Sequence, residues 1–114
     1  MMNLRDRWNR LVARTAAPSR VAYASRLFTE LDDAYSDAAR AYHTWQHVDE
    51  CLAWLDRYAV ESRMSDGYVN LLTYALYYHD VVYLPGSSEN ETASADLAAT
   101  RLEELGITER DRGT

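Results

Sequence analysis

Two prolines and four glycines are all that interrupt 114 residues. So few breakers leave long stretches free to run as helix, because proline and glycine are the residues that end it. Pro18 and Pro85 each stand between segments whose apolar residues recur every three or four positions, the period of a helix face. Leu4, Trp8, Leu11 and Val12 form a first stripe, which stops before Ala17-Pro18-Ser19. Ser19 is expected to cap a second helix carrying Tyr23, Leu27, Leu31 and Tyr35 on one face. Thr44 is the expected N-cap of a third helix running to about Ala59, with inner stripe Val48, Leu52 and Leu55 and with Cys51 alongside. Ser65 or Asp66 opens a fourth, with Tyr68, Leu71, Leu72, Ala75 and Leu76 expected to face inward. That helix is apolar on most sides near Tyr74 to Tyr78, which predicts a central position. Ser88-Glu89-Asn90-Glu91 has the capping-box form and predicts the start of a fifth. Ala95, Ala98 or Ala99, Leu102 and Leu105 continue it, and Gly106 is a C-terminal stop. No segment alternates as a strand does. The expectation is one all-α domain of about five helices over 1–114.

Charge narrows the function. The formal net charge is −6 and the pI is about 4.9. An acidic chain repels nucleic acid and phosphate unless a local cation reverses the field, so a phosphate-bearing substrate calls for a metal ion. Arg5, Arg7, Arg10 and Arg14 form a modest basic stripe that reads better as a solvated face than as a nucleic-acid surface. Cys51 is the single cysteine, which rules out a disulfide framework. The charged N-terminus holds no continuous apolar run, so neither a signal peptide nor a membrane span is expected. The expected location is the cytoplasm.

All three histidines fall in two clusters, His43 with His47 and His79 with Asp80. Residues four apart share a helix face, and imidazole with carboxylate suits a borderline or hard divalent ion. The spacing His-x-x-x-His is common by chance, and a hydrogen-bonded core pair reads equally well for His79 and Asp80. Their setting is more telling: they close the apolar run Leu71 to Tyr78, where buried polar groups need partners or a metal.

Taken together the segments are more specific. Tyr42-His43-Thr44-Trp45-Gln46-His47, preceded by Arg40, resembles the Y-H-x-x-x-H segment of small bacterial HD-domain proteins. Ala75-Leu76-Tyr77-Tyr78-His79-Asp80 is similar to that family's apolar helix ending in His-Asp. Pro85 through Asn90-Glu91-Thr92-Ala93-Ser94-Ala95 resembles its P-x-x-x-x-N-E-x-x-S-A segment. The likeness covers about Ala41 to Leu97. It implies an HD-domain-like helical bundle with a divalent metal (Mn, Mg, Zn, Ni, Co or Fe) held by His47, His79 and Asp80. It further implies Asp80 and Glu91 as catalytic groups and His43 and Asn90 as substrate contacts.

One element departs from the family pattern. Its last ligand is an aspartate on a later helix; here the candidates are Asp96, on the very next helix, and Asp111, in the polar tail. Relatives also run on through further helices, so the resemblance implies a bundle truncated at its C-terminus. An incomplete bundle exposes apolar surface, which a second copy of the chain is expected to cover. The expected activity is metal-dependent hydrolysis of a phosphate ester or anhydride of a nucleotide or other small molecule, with no nucleic-acid or membrane partner. The competing expectation is a non-enzymatic or catalytically impaired helical interaction protein that keeps part of the metal site.

Overall fold

The computed structural model describes residues 3–37, 40 and 44–107. Five α-helices span Leu4–Thr15 (α1), Ala24–Tyr35 (α2), Trp45–Glu61 (α3), Asp66–Tyr78 (α4) and Asn90–Glu104 (α5), with no strand among the described residues. The all-α expectation is met. None of these helices is long and apolar enough to cross a membrane.

α1 begins where Asn3 accepts a hydrogen bond from the Asp6 N–H at 2.8 Å, which satisfies one of the amides orphaned at a helix start. Its stripe delivers Trp8, Leu11 and Val12 into the core, all fully buried. The Trp8 indole N–H donates to the Ala24 carbonyl at 2.9 Å. Its ring meets Tyr74, Tyr77 and Tyr78 edge-on, with centroids 5.5, 5.0 and 6.0 Å away. One tryptophan thus joins the starts of α1 and α2 to the last turns of α4. A single buried cluster draws residues from every helix.

Ser19 does not cap α2. Pro18 opens a 3₁₀ turn, Pro18–Tyr23, and the α-helix starts at Ala24. Proline's fixed φ favours the first position of such a turn, which places Ser19 inside it. The capping box at Ser88 also fails to form. The Glu89 N–H goes to the Ser87 hydroxyl at 3.1 Å, and α5 begins at Asn90. Asn90 instead folds its amide back on Leu84, accepting from its N–H at 3.0 Å and donating to its carbonyl at 3.1 Å. Thr44 and Ser65 stand at the N-caps of α3 and α4, and Ser65 accepts from the Tyr68 N–H.

Gly106 ends α5 as expected, in the left-handed region at φ +74°. Its N–H donates to Glu103 and that of Ile107 to Leu102, each at 3.0 Å, the paired bonds of a Schellman stop. A Cβ here would lie 2.7 Å from the Ala17 Cβ. Ala17 also donates its N–H to the Leu105 carbonyl at 2.9 Å, so the end of α5 rests on the turn after α1. Arg101 holds the last turn of α5 to α2, pairing two guanidinium nitrogens with Glu30 at 2.8 and 2.7 Å.

The face of α4 differs from the expectation. Thr73, Tyr74, Tyr77 and Tyr78 are the buried residues, whereas Leu71, Leu72 and Leu76 are half-buried and Tyr68 and Ala75 exposed. The tyrosine rings fill the wide gap beside Trp8, and two of their hydroxyls find partners there. Tyr74 hydroxyl meets Thr15 Oγ1 at 2.6 Å, and Tyr77 hydroxyl donates to the Leu4 carbonyl at 2.7 Å. The helix is packed between α3 and α5, but its leucine side stays open.

Candidate metal centre

The C-terminal end of α4 carries His79 and Asp80, and side chains from elsewhere satisfy its carbonyls. Tyr35 hydroxyl donates to the Tyr77 carbonyl at 2.7 Å and accepts from the Asp80 N–H at 3.3 Å. Arg40 donates one nitrogen to the Asp80 carbonyl and another to that of Val81, both at 2.7 Å. Ser94, buried on α5, accepts from the Val82 N–H at 3.0 Å. A helix end leaves its last carbonyls unpaired, and here α2, Arg40 and α5 lock the turn that follows.

His47 comes from the first turn of α3. Trp45, two residues earlier, donates its indole N–H to Asp32 at 2.8 Å and stacks on Phe28 with centroids 5.2 Å apart. These contacts fix the start of α3 against α2 and so aim His47 at the end of α4. The His47 and His79 rings lie 5.2 Å apart. Asp80 Oδ2 is 3.1 Å from His79 Nε2 and 3.7 Å from His47 Nε2. The structure therefore brings together the three residues marked as ligands from sequence.

The tautomer of His79 decides what this cluster needs. Nδ1 lies 2.7 Å from the Leu76 carbonyl, and only an N–H can donate there. In the neutral ring the lone pair then sits on Nε2, facing a carboxylate oxygen at 3.1 Å. Two acceptors at that distance repel unless positive charge joins them, as a proton on Nε2 or as a metal ion. The backbone bond on the far nitrogen is the usual way a metal-binding histidine is held. The donor set thus fits a divalent cation.

Cys51 belongs to the same cluster. It lies one turn after His47 on α3, half-buried, with Sγ 3.9 Å from His47 Nε2. Ligand atoms of His47, Cys51 and His79 all lie within 4.8 Å of one another. Burial pushes the thiol pKa up, and the Asp80 and Glu50 carboxylates push it further. From its sequence position Cys51 is expected only beside the inner stripe. The four-residue step from His47 was the signal, since it is the same step as His43 to His47.

A groove of about 980 Å³ opens from the centre along α4 and α5, and His79, Asp80 and Glu91 line it together with Leu72, Ala98 and Leu102. Among the described residues no arginine or lysine lines it. Glu91 is exposed in the first turn of α5 and faces the groove. Asn90 is engaged with Leu84 as described. Asp96 stands five residues past Glu91, about 140° around the helix, and is exposed outside the groove. His43 and Asp111 lie outside the described residues. Tyr78 also lines the groove, and its buried hydroxyl has no hydrogen-bond partner among the described residues.

Comparison with protein-family models, with curated proteins and with solved structures finds no match to this chain. The resemblance to HD-domain proteins rests on the three sequence segments alone.

Proposed function

We propose that the chain is an HD-domain-like, metal-dependent phosphohydrolase. The observation that carries this reading is the His79 Nε2 to Asp80 Oδ2 approach at 3.1 Å, with His47 Nε2 3.7 Å from the same oxygen. His47, His79 and Asp80 would hold a divalent ion at the head of the groove. When bound, such an ion makes water nucleophilic at neutral pH and polarises a phosphoryl oxygen. It also supplies positive charge to an acidic chain, in a groove whose described lining residues include no arginine or lysine.

The chain's own residues do the positioning. Arg40 and Tyr35 hold the His79-Asp80 turn through its backbone. Asp80 offers its second carboxylate oxygen to take the proton of the attacking water. Glu91, facing the same space, orients that water from the opposite wall. His43 is assigned to the substrate phosphate. Asn90 contributes by fixing the loop before α5, in addition to any contact it makes with substrate. The apolar walls take the body of a nucleotide or other small molecule whose phosphate ester or anhydride lies at the ion. The test is metal-dependent release of phosphate or pyrophosphate across a nucleotide panel. Wild type is expected to release it and His79→Ala is expected to lose the activity; equal activity in the two sinks the assignment.

A second reading is favoured by the open side of α4. Tyr68 on α4 is 51% exposed and Trp54 on the neighbouring α3 63%, and a second apolar hollow of about 470 Å³ lies between α3 and α4, sharing Tyr68, Leu72 and Ala75 with the first. A face this broad suits a helical interaction protein that retains the histidines without turnover. Absence of any thermal shift with Mn, Ni or Zn would favour it over the hydrolase.

A further inference from the structure

We infer that Cys51 is a ligand of the same ion, so that the centre selects a thiolate-binding divalent metal such as zinc or cobalt(II) over magnesium. The inference rests on the metal reading above and specifies which class of ion it takes. Cys51 and His47 stand one helical turn apart on α3, and that shared face points at His79 on α4. The Sγ to His47 Nε2 separation is 3.9 Å, and the widest spacing within the His47, Cys51 and His79 group is 4.8 Å at most. Nitrogen and sulfur ligands on a tetrahedral zinc sit about 3.3–3.6 Å apart, given bonds of about 2.1 and 2.3 Å. Rotations of Cys51 about χ1 and of the two rings have to close about 0.3 Å for the His47–Cys51 pair and at most about 1.5 Å for the widest pair.

The three inner-stripe residues around Cys51, namely Val48, Leu52 and Leu55, are buried in the core. Cys51 itself sits at the edge, half-exposed beside two imidazoles, where a small hydrophobe gains little from packing. Binding forms a sulfur–metal bond and releases the thiol proton to solvent, with no change of oxidation state. Two imidazoles and a thiolate are borderline-to-soft donors, which favour zinc and cobalt. Magnesium demands oxygen ligands in octahedral array and gains nothing from sulfur. His47, Cys51 and His79 are the described groups whose ligand atoms gather within 4.8 Å; with Asp80 beside them, a zinc or cobalt ion that expands to five positions would still have room for the water of the hydrolase reading.

Cobalt(II) titration of the metal-free full chain tests this. Visible d–d bands report cobalt bound at all, and a near-ultraviolet band of sulfur-to-cobalt charge transfer reports a thiolate ligand. Cys51 is the single cysteine of the chain, so that band in wild type has no other source. The expected result is both signals in wild type, with Cys51→Ser keeping the visible bands and losing the charge-transfer band. Visible bands without charge transfer in wild type overturn the Cys51 assignment while leaving the histidine-carboxylate centre standing. No cobalt signal of either kind overturns both. Circular dichroism of Cys51→Ser confirms that its spectrum is read on folded protein.

Discussion

Arg40 donates two guanidinium nitrogens to the consecutive carbonyls of Asp80 and Val81, each at 2.7 Å. It also lies over the rings of Tyr35 and Tyr83, 5.7 Å from each centroid. A single residue before the third helix thereby holds the backbone of a turn forty positions further along. Only a planar fork can serve two carbonyls at once while stacked on aromatic faces.

Arg40→Ala is therefore expected to cost about 2 kcal/mol of stability, the magnitude for losing hydrogen bonds to a charged group. It should weaken binding of zinc or cobalt in parallel, because the turn that aims His79 and Asp80 is no longer fixed. Arg40→Lys should recover little of either, since an ammonium cannot span both carbonyls in the same geometry. Urea denaturation with metal titration on the same samples checks both. An alanine variant that binds metal as tightly as wild type would show that the turn holds itself.

Buried tyrosines should make the fold sensitive to alkali. Burial raises the Tyr74 hydroxyl from its ordinary 10.0 to about 12, and burial likewise raises those of Tyr35, Tyr77 and Tyr78. A raised pKa in the folded state means that the native chain keeps protons that the unfolded chain releases. The stabilising contribution is whole below pH 10 and shrinks as pH climbs through the folded values. For Tyr74 alone two pH units correspond to about 3 kcal/mol. Melting temperature followed from pH 8 to 11.5 should hold steady and then fall steeply above 10. A flat profile to pH 11.5 contradicts the burial of these rings.

The open face of α4 should drive association. Leu72 and Tyr68 line both hollows, and water meets apolar surface there that a second copy would cover. Light scattering at micromolar concentration is expected to show a species larger than one chain. Tyr68→Gln combined with Leu72→Gln should return it to monomer with its helicity retained, because neither side chain is in the buried cluster. A wild type that is strictly monomeric removes the case for self-association.

Much of this architecture is a local matter, and local matters are written in the sequence. Scarce breakers and a helical apolar period set the five helices. Thr44 and Ser65 mark two starts, and Gly106 marks a stop because a left-handed residue is needed there. His47, His79 and Asp80 were legible as one group because three segments kept their order and spacing. Where two local signals competed, spacing alone was insufficient: Ser19 and Ser88 look like caps, yet Pro18 and the Asn90–Leu84 bonds set the boundaries elsewhere.

Direction was the part that only tertiary structure decided. A helix apolar on nearly every side, as α4 is, carries no stripe to say which side turns in. The choice fell to the tyrosines because their rings fit against Trp8 and their hydroxyls reach Thr15 and Leu4, partners far away in the chain. The same folding step left the leucines facing out and opened the groove. It also brought Cys51 beside His79 and set Arg40 on the turn after α4. None of these pairings has a periodicity, since each depends on how two helices cross rather than on how one repeats.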